Sequence, residues 1–143
     1  MKVRFCIRFG PPTPMREAIQ TNSAPLPRGQ YSQAVRAGNL LFTSGQLPFD
    51  RDGNLVNGTI AAETTQALEN IRAIIEAAGG TIADIVQCTI YISDIAHLAE
   101  VDGIYGSFFS AAPVLPARAV VPVKEMHYGV RIEIQAVALL DRG

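Results

Sequence analysis

Residues 116–123 read PARAVVPV and residues 130–138 read VRIEIQAVA, and these two stretches are the most informative part of the sequence. Both are rich in β-branched residues, and the second alternates apolar with polar side chains, as a half-buried strand does. The intervening residues 124–129 have about the length of a hairpin connection, with Gly129 available for a positive φ. The pattern therefore predicts that Arg118 and Glu133 lie on adjacent extended segments.

Arg118 and Glu133 are the candidate functional residues of these two strands. A planar guanidinium can hold a carboxylate through two parallel hydrogen bonds, and a nearby carboxylate can hold or activate a water. A surface arginine and a surface glutamate on an exposed sheet face account for the same residues without any function, because most charged side chains are only solvated. Taken alone, the two residues leave both interpretations open.

The upstream sequence predicts the rest of an α+β domain. Strands are expected at residues 16–21, 33–37, 40–44 and 85–92, and helices at residues 60–78 and 95–109. Gly38-Asn39 suits a hairpin turn, Thr59 can cap the first helix, and Gly79-Gly80 ends it. Two helices packed on one face of a single mixed sheet form an α+β layer arrangement.

The strand predicted at residues 85–92 is apolar enough to suggest that both of its faces are covered. Ile85-Val86 with Ile90 and Ile92 indicates a second apolar sheet face, which a two-layer domain cannot cover by itself. We therefore expect association between copies of the chain. The apolar pattern does not distinguish a trimer from a dimer.

Composition limits the classes of function. The 143 residues suit one domain, and 48% hydrophobic with 17% charged residues is typical of a globular chain. A net charge of −1 gives no basic footprint for nucleic acid, and no apolar run approaches the roughly 20 residues that span a bilayer. Cys6 and Cys88 are too few for a disulfide framework, and His97 and His127 are interpreted as surface or turn residues. We expect a cytoplasmic protein without a metal ion.

Residues 1–14 are interpreted as an N-terminal extension that is not part of the fold. The stretch Gly10–Pro14 reads GPPTP, which is rich in breakers and favours neither helix nor strand. An alternative translation start and an accessory arm both explain such an extension.

Four segments, in order, resemble the RidA family of YjgF-like reactive-intermediate deaminases. They are YSQAV from Tyr31 with AGNLLF from Ala37, TSGQLP from Thr43, the helical stretch from Gln66 to Gly79, and PAR from Pro116 with the final IEIQAVA. The similarity extends roughly from Met15 to Leu140.

This resemblance implies a RidA-like, chorismate-mutase-like fold that forms homotrimers, in which three sheets pack into a barrel with ligand clefts between subunits. It implies hydrolysis of 2-iminopropanoate and 2-iminobutanoate to 2-keto acids and ammonia, with no cofactor. By position, Arg118 corresponds to the residue that binds the substrate carboxylate and Glu133 to the residue that positions the attacking water. Tyr31, Ser44 and Gly45 correspond to residues that line the cleft.

Four residues depart from the family pattern. Gln30 replaces a common proline, Asp102 a common asparagine, Val120 a cysteine of some members, and Pro122 a polar residue. Pro122 cannot donate to a β-ladder, so its strand should be at an edge or bulged, and Asp102 would oppose an anionic ligand if it lay near the cleft. Some relatives are described as ribonucleases, so cleavage of single-stranded RNA is one alternative. A non-enzymatic module that binds a ligand or partner through the same cleft is another, and it would need Arg118 but not Glu133.

Overall fold

A computed structural model describes residues 15–140, which form one six-stranded sheet with two helices on one of its faces. The strands are β1 (Arg16–Ile19), β2 (Ala34–Ala37), β3 (Leu40–Thr43), β4 (Ile85–Ile92), β5 (Ala117–Pro122) and β6 (Ile132–Leu139). The helices are α1 (Ile60–Ala77) and α2 (Leu98–Phe108). The predicted α+β class is confirmed, whereas the interpretation of residues 1–14 concerns a segment outside the described residues.

The two last strands are not neighbours, so the predicted C-terminal hairpin is wrong. The strand order is β1-β2-β3-β6-β4-β5, with β6 antiparallel to both β3 and β4, and β5 parallel to β4. Two strand spacings amount to about 10 Å, and the nine residues 123–131 between β5 and β6 can reach about 30 Å, so the connection is long enough to pass the end of β4. Pro122 does lie on an edge strand, as its missing N–H requires.

The expectation that β4 has two apolar faces is also wrong, although the sheet does keep an uncovered apolar face. Ile85, Ile90 and Ile92 are all buried on the helix side, because an extra residue at Val86 bulges out of the ladder with β6. The other face of β4 carries Gln87, Thr89 and Tyr91, which the pairing register places opposite Val137, Gln135 and Glu133. Apart from the bulged Val86, which is 43% exposed, the uncovered apolar side chains lie on other strands: Phe42, Val121, Val137 and Leu139.

The core lies between the sheet and the helices. Thr59 caps α1 by accepting a hydrogen bond of 3.1 Å from the backbone N–H of Ala62, as predicted. Leu68, Ile71 and Ile75 of the predicted helix face are fully or almost fully buried. The second helix is shorter than predicted, since residues 95–97 form a 3₁₀ turn before α2 begins. Within residues 15–140, neither helix combines the length and the apolar character that a membrane crossing requires.

A buried ion pair fixes α1 against the start of β6. The Glu63 carboxylate, 3% exposed for the whole residue, accepts hydrogen bonds from the backbone N–H, Nε and Nη2 of Arg131 at 3.0, 3.1 and 2.9 Å. Such a charge-assisted fork satisfies both carboxylate oxygens and fixes the strand as well as the side chain. The site residue Glu133 lies two positions beyond this anchor on β6.

Candidate active site

Glu133 projects from the sheet face opposite the helices. Its neighbours Ile132 and Ile134 are fully buried toward the helices, so strand alternation directs Glu133 the other way. Burial raises the pKa of the Glu133 carboxyl above 4.5, while the charge of His127 acts in the opposite direction. A carboxylate whose pKa moves toward neutrality is better suited to accept a proton from water.

Gly45 lies directly against the Glu133 carboxylate. Gln46 and Ile134 exchange two backbone hydrogen bonds, Gln46 N–H to Ile134 O at 2.7 Å and Ile134 N–H to Gln46 O at 3.1 Å. This bridge brings the backbone of Gly45 so close that a Cβ atom there would overlap the carboxylate, with Glu133 Cδ only 2.8 Å away. The glycine is therefore required by a close approach rather than by a positive φ.

Ser44 and Tyr31 complete the predicted group on this side of the sheet. The Ser44 hydroxyl donates to Ser32 O at 2.6 Å, and Ser44 N–H donates to Gln33 O at 2.8 Å, which joins the two segments. Tyr31 is half exposed, and its hydroxyl accepts a hydrogen bond from Arg28 N–H at 3.2 Å. Its ring is therefore presented to the solvent side of the site.

A cavity of about 410 Å³ brings four of the five predicted site residues together: Tyr31, Ser44, Gly45 and Glu133. The same cavity is lined by residues that sequence reasoning did not identify, among them Arg28, Phe49, His127 and Tyr128. His127 was expected only on the surface or in a turn, and it lies in a turn that also faces the cavity. No local pattern marks these residues, because they come from segments that are distant in sequence.

A second cavity of about 380 Å³ also borders Glu133. Tyr91 and Gln135 of the uncovered sheet face line it, together with the turn from Val123 to His127. Since Glu133 borders both cavities, its carboxylate can be approached from the uncovered face as well as from the Tyr31 side.

Arg118, the fifth predicted residue, lies elsewhere in the chain. In the register of the sheet it is opposite Cys88, which faces the helices, and its guanidinium carbon lies 4.8 Å from the centre of the Tyr105 ring. Arg118 and Glu133 thus point to opposite faces of the sheet. Arg118 does not line either cavity, so one chain does not bring the two proposed catalytic residues together.

Arg118 is already paired with a carboxylate. Its Nη1 lies 2.6 Å from Asp102 Oδ1 of α2, and the Arg118 side chain retains 28% of its exposure. The pair leaves the other guanidinium nitrogens open to a ligand. Cys88 behind it is a free, buried thiol whose pKa burial raises to about 11, so it is not a nucleophile near neutral pH.

In the part of the chain that the structure describes, no three His, Cys, Asp or Glu side chains converge into a group able to hold a metal ion. The polar residues that line the larger cavity include Glu133, Tyr31, Ser44 and Arg28, together with Gln33, Gln46 and His127. A cavity of this size with few polar groups is typical of a small-molecule site. The protein is thus an α+β domain with a cavity of small-molecule size beside a half-buried carboxylate.

Comparison with known proteins identifies the family. The endoribonuclease L-PSP family, which includes the RidA and YjgF proteins, matches residues 21–140, and the chain belongs to this family. The chain is 39% identical over 126 residues to the 2-iminobutanoate/2-iminopropanoate deaminase of Escherichia coli, covering 87% of this chain and 98% of that protein. It is 44% identical over 125 residues to a RutC family protein of Pyrococcus horikoshii, with coverages of 87% and 98%.

Solved structures agree with this assignment. The YjgF gene product of Escherichia coli superposes with a TM-score of 0.83 at 38% identity, covering 88% of this chain and 99% of the other. Escherichia coli TdcF with bound serine superposes with a TM-score of 0.83 at 33% identity, with coverages of 89% and 99%. The names within the family differ, since its description is that of an endoribonuclease while several relatives are deaminases.

Proposed function

We propose that the protein hydrolyses small 2-imino acids, such as 2-iminopropanoate and 2-iminobutanoate, to 2-keto acids and ammonia. The observation that carries the proposal is the half-buried Glu133 carboxylate, whose pKa burial raises, at the wall of a cavity of about 410 Å³. The relatives named as deaminases of these imines support it at 39% identity. Enamines of the 2-aminoacrylate type tautomerise to such imines, so the reaction would remove reactive species.

The chemistry needs positioning and one proton acceptor. The C2 atom of an imine is electrophilic, particularly when its nitrogen is protonated. Water attacks C2 while Glu133 accepts a proton from it, which forms a C–O bond and a carbinolamine. Glu133 then returns the proton to the nitrogen, and the C–N bond breaks to release ammonia. The carbinolamine hydroxyl gives its proton to the Glu133 carboxylate as the C=O bond of the keto acid forms, and Glu133 loses that proton to the departing ammonia. Because the substrate is already activated, no metal ion or organic cofactor takes part.

The substrate carboxylate requires a cation, and we assign this role to Arg118 of a neighbouring copy. A guanidinium fork fixes a carboxylate in one orientation, which is catalysis by positioning. Arg118 of the same chain lies on the wrong face of the sheet, whereas the uncovered face keeps Phe42, Val121 and Leu139 at 44%, 37% and 38% exposure. Burying these side chains against other copies would favour association. We propose a homotrimer with its sites between subunits, located in the cytoplasm.

A mixing experiment tests this arrangement. Arg118→Ala and Glu133→Gln chains, each expected to be nearly inactive, are denatured together in equal amounts and refolded. If each site takes Arg118 from one copy and Glu133 from the next, about a quarter of the sites in random mixtures are intact and that share of activity returns. Activity is measured by generating 2-iminobutanoate in situ and following its loss in competition with semicarbazide.

The control is the same mixture with two different affinity tags, which verifies that mixed assemblies form. If mixed assemblies form and no activity returns, the two residues do not meet across subunits and the proposed site is wrong. If wild-type protein binds keto acids through Arg118 but turns over no imine, the protein is a binding module rather than an enzyme.

Cleavage of single-stranded RNA is the second candidate, and the description of the family as endoribonuclease L-PSP favours it. The 12 Lys and Arg residues against 13 Asp and Glu residues oppose it, because backbone phosphates are held mainly by cations. We expect weak RNA binding that disappears with added salt, measured by fluorescence anisotropy. Sub-micromolar binding at physiological salt, with cleavage that survives repeated purification, would reverse this ranking.

A further inference from the structure

Arg28 is a cation in the cavity wall that the proposed reaction does not use. Its guanidinium carbon lies 4.2 Å from the centre of the Phe49 ring and 5.8 Å from that of Tyr128. The two rings meet edge to face with their centres 5.1 Å apart. All three residues line the cavity that holds Glu133. Two aromatic contacts fix the position of the guanidinium and leave its N–H edge available.

The charge of Arg28 is not neutralised within the described part of the chain. The ion pairs of residues 15–140 are Glu69–Arg72, Asp102–Arg118 and Glu63–Arg131, and none includes Arg28. Nη2 of Arg28 donates to the backbone oxygen of Gly53, which orients the guanidinium without cancelling its charge. An oriented guanidinium without a carboxylate partner, in a cavity wall, is suited to a ligand anion.

The cavity has room for such a second anion. A volume of about 410 Å³ lies within the range of sites for ligands much larger than a three- or four-carbon acid. In the proposed reaction, Arg118 of a neighbouring copy holds the C1 carboxylate and Glu133 faces C2. Arg28 is therefore left for the far end of the ligand, and the Phe49 and Tyr128 rings offer apolar walls for the methylene groups between.

We propose that Arg28 binds a second, side-chain carboxylate, so that the preferred substrates are dicarboxylic 2-imino acids such as 2-iminosuccinate and 2-iminoglutarate. This inference rests on the proposed deaminase function and names its substrate class. It makes Arg28 a specificity-determining residue, since a monocarboxylic imine would leave its charge without a partner in the cavity.

The test compares two imines on wild-type protein and on Arg28→Met. We expect wild type to favour 2-iminoglutarate over 2-iminobutanoate in kcat/KM, and Arg28→Met to lower that ratio at least tenfold. Arg28→Lys should lie between the two, because it keeps the charge but loses the planar fork. Arg72→Met is the matched control, because it removes an arginine 4.8 Å from the Phe108 ring, outside the cavity, and should leave the ratio unchanged.

The outcomes separate this inference from the proposed function. An equal loss on both imines in Arg28→Met, or no preference in wild type, means that Arg28 only supports the cavity wall and overturns the inference while the deaminase function stands. Calorimetric titration with 2-oxoglutarate and 2-oxobutanoate covers the case in which no imine is turned over. If 2-oxoglutarate then binds tighter and loses that advantage in Arg28→Met, the second carboxylate site stands and the proposed activity fails; equal binding overturns both.

Discussion

The two faces of the sheet differ in how completely a single chain covers them. On the helix face, the helices of the same chain cover the core. Four side chains there are fully buried: Ile90, Ile92, Ile132 and Ile134. On the opposite face, Phe42 and Leu139 keep about two fifths of their exposure. The candidate residues follow the same division, since Arg118 is directed to the helix side and Glu133 to the uncovered side.

Folding and function therefore depend on different faces of the sheet. A closed face needs only the helices that the same chain supplies, so it folds independently of concentration. In the proposed assembly, another copy covers the apolar face beside the half-buried carboxylate, and the site then depends on association.

Phe42→Asp should have the largest effect, because it places a charge in the middle of the uncovered face. We expect the chain to stay folded, to lose its association, and to retain less than about a hundredth of the wild-type activity, since burying an unpaired carboxylate costs several kcal/mol. Light scattering, circular dichroism and the imine assay measure the three properties. Ile95→Asp is the control, with similar exposure at 51% but in the turn before α2. Unchanged association in Phe42→Asp would contradict the role of this face.

Glu133→Gln should lower turnover about a hundredfold or more while keto-acid binding persists, because the amide keeps the shape but cannot take a proton. In wild type, burial raises the pKa of Glu133, so its ionised form is lost on acidification at a higher pH than for an ordinary glutamate. The acidic limb of the pH profile should therefore lie above 4.5 and vanish in the variant. Wild-type turnover in Glu133→Gln would rule out water activation by this residue.

Arg118→Ala should weaken keto-acid binding by roughly 2–4 kcal/mol, the cost of losing a charge-assisted pair in a partly dry cleft. Arg118→Lys keeps the charge but not the fork, so binding and turnover should both fall by less. Calorimetry with pyruvate or 2-oxobutanoate gives the affinities. If Arg118→Ala binds as tightly as wild type, the carboxylate is held by another group.

Asp102→Asn should produce the smallest change, and it should strengthen keto-acid binding where Arg118→Ala weakens it. Asp102 pairs with Arg118 at 2.6 Å and is solvent-exposed, so its charge opposes an incoming carboxylate through a partly screened interaction. We expect keto-acid affinity to rise about threefold to tenfold, on the scale of about 1 kcal/mol. Glu100→Gln on the same helix is the control, because Glu100 forms no ion pair within residues 15–140. Weaker binding in Asp102→Asn would mean that Asp102 orients Arg118 instead.

Sequence reasoning predicted the elements whose causes are local. The Thr59 cap, the buried stripe of α1 and the alternation of β6 depend on residues within a few positions of each other, and all three are confirmed. Strand order has no local cause, so the length of the final connection favoured a hairpin that the sheet does not contain. The bulge at Val86 was not predicted either, because an extra residue can be identified only from the pairing register with the partner strand.

The site was predictable to the extent that resemblance supplied it. Tyr31, Ser44, Gly45 and Glu133 were identified by position in the family pattern, and the structure brings them to one cavity, although their roles stay predictions. The contact between Gly45 and Glu133 arises from a bridge between segments some ninety residues apart, which no spacing rule detects. Arg28 and the two rings that it contacts, Phe49 and Tyr128, were not predicted, because they also come from segments far apart in the sequence.

The bulge at Val86 has a consequence for how the length of this chain can vary. Ile85 pairs with Ala138 and Gln87 with Val137, so Val86 occupies no position in the ladder. Deleting it would join Ile85 directly to Gln87 with every partner retained, and no inward side chain would turn outward. Loss of Val86 during evolution would therefore leave the packing of the core unchanged. It would alter only the contacts made by the outer face of β4.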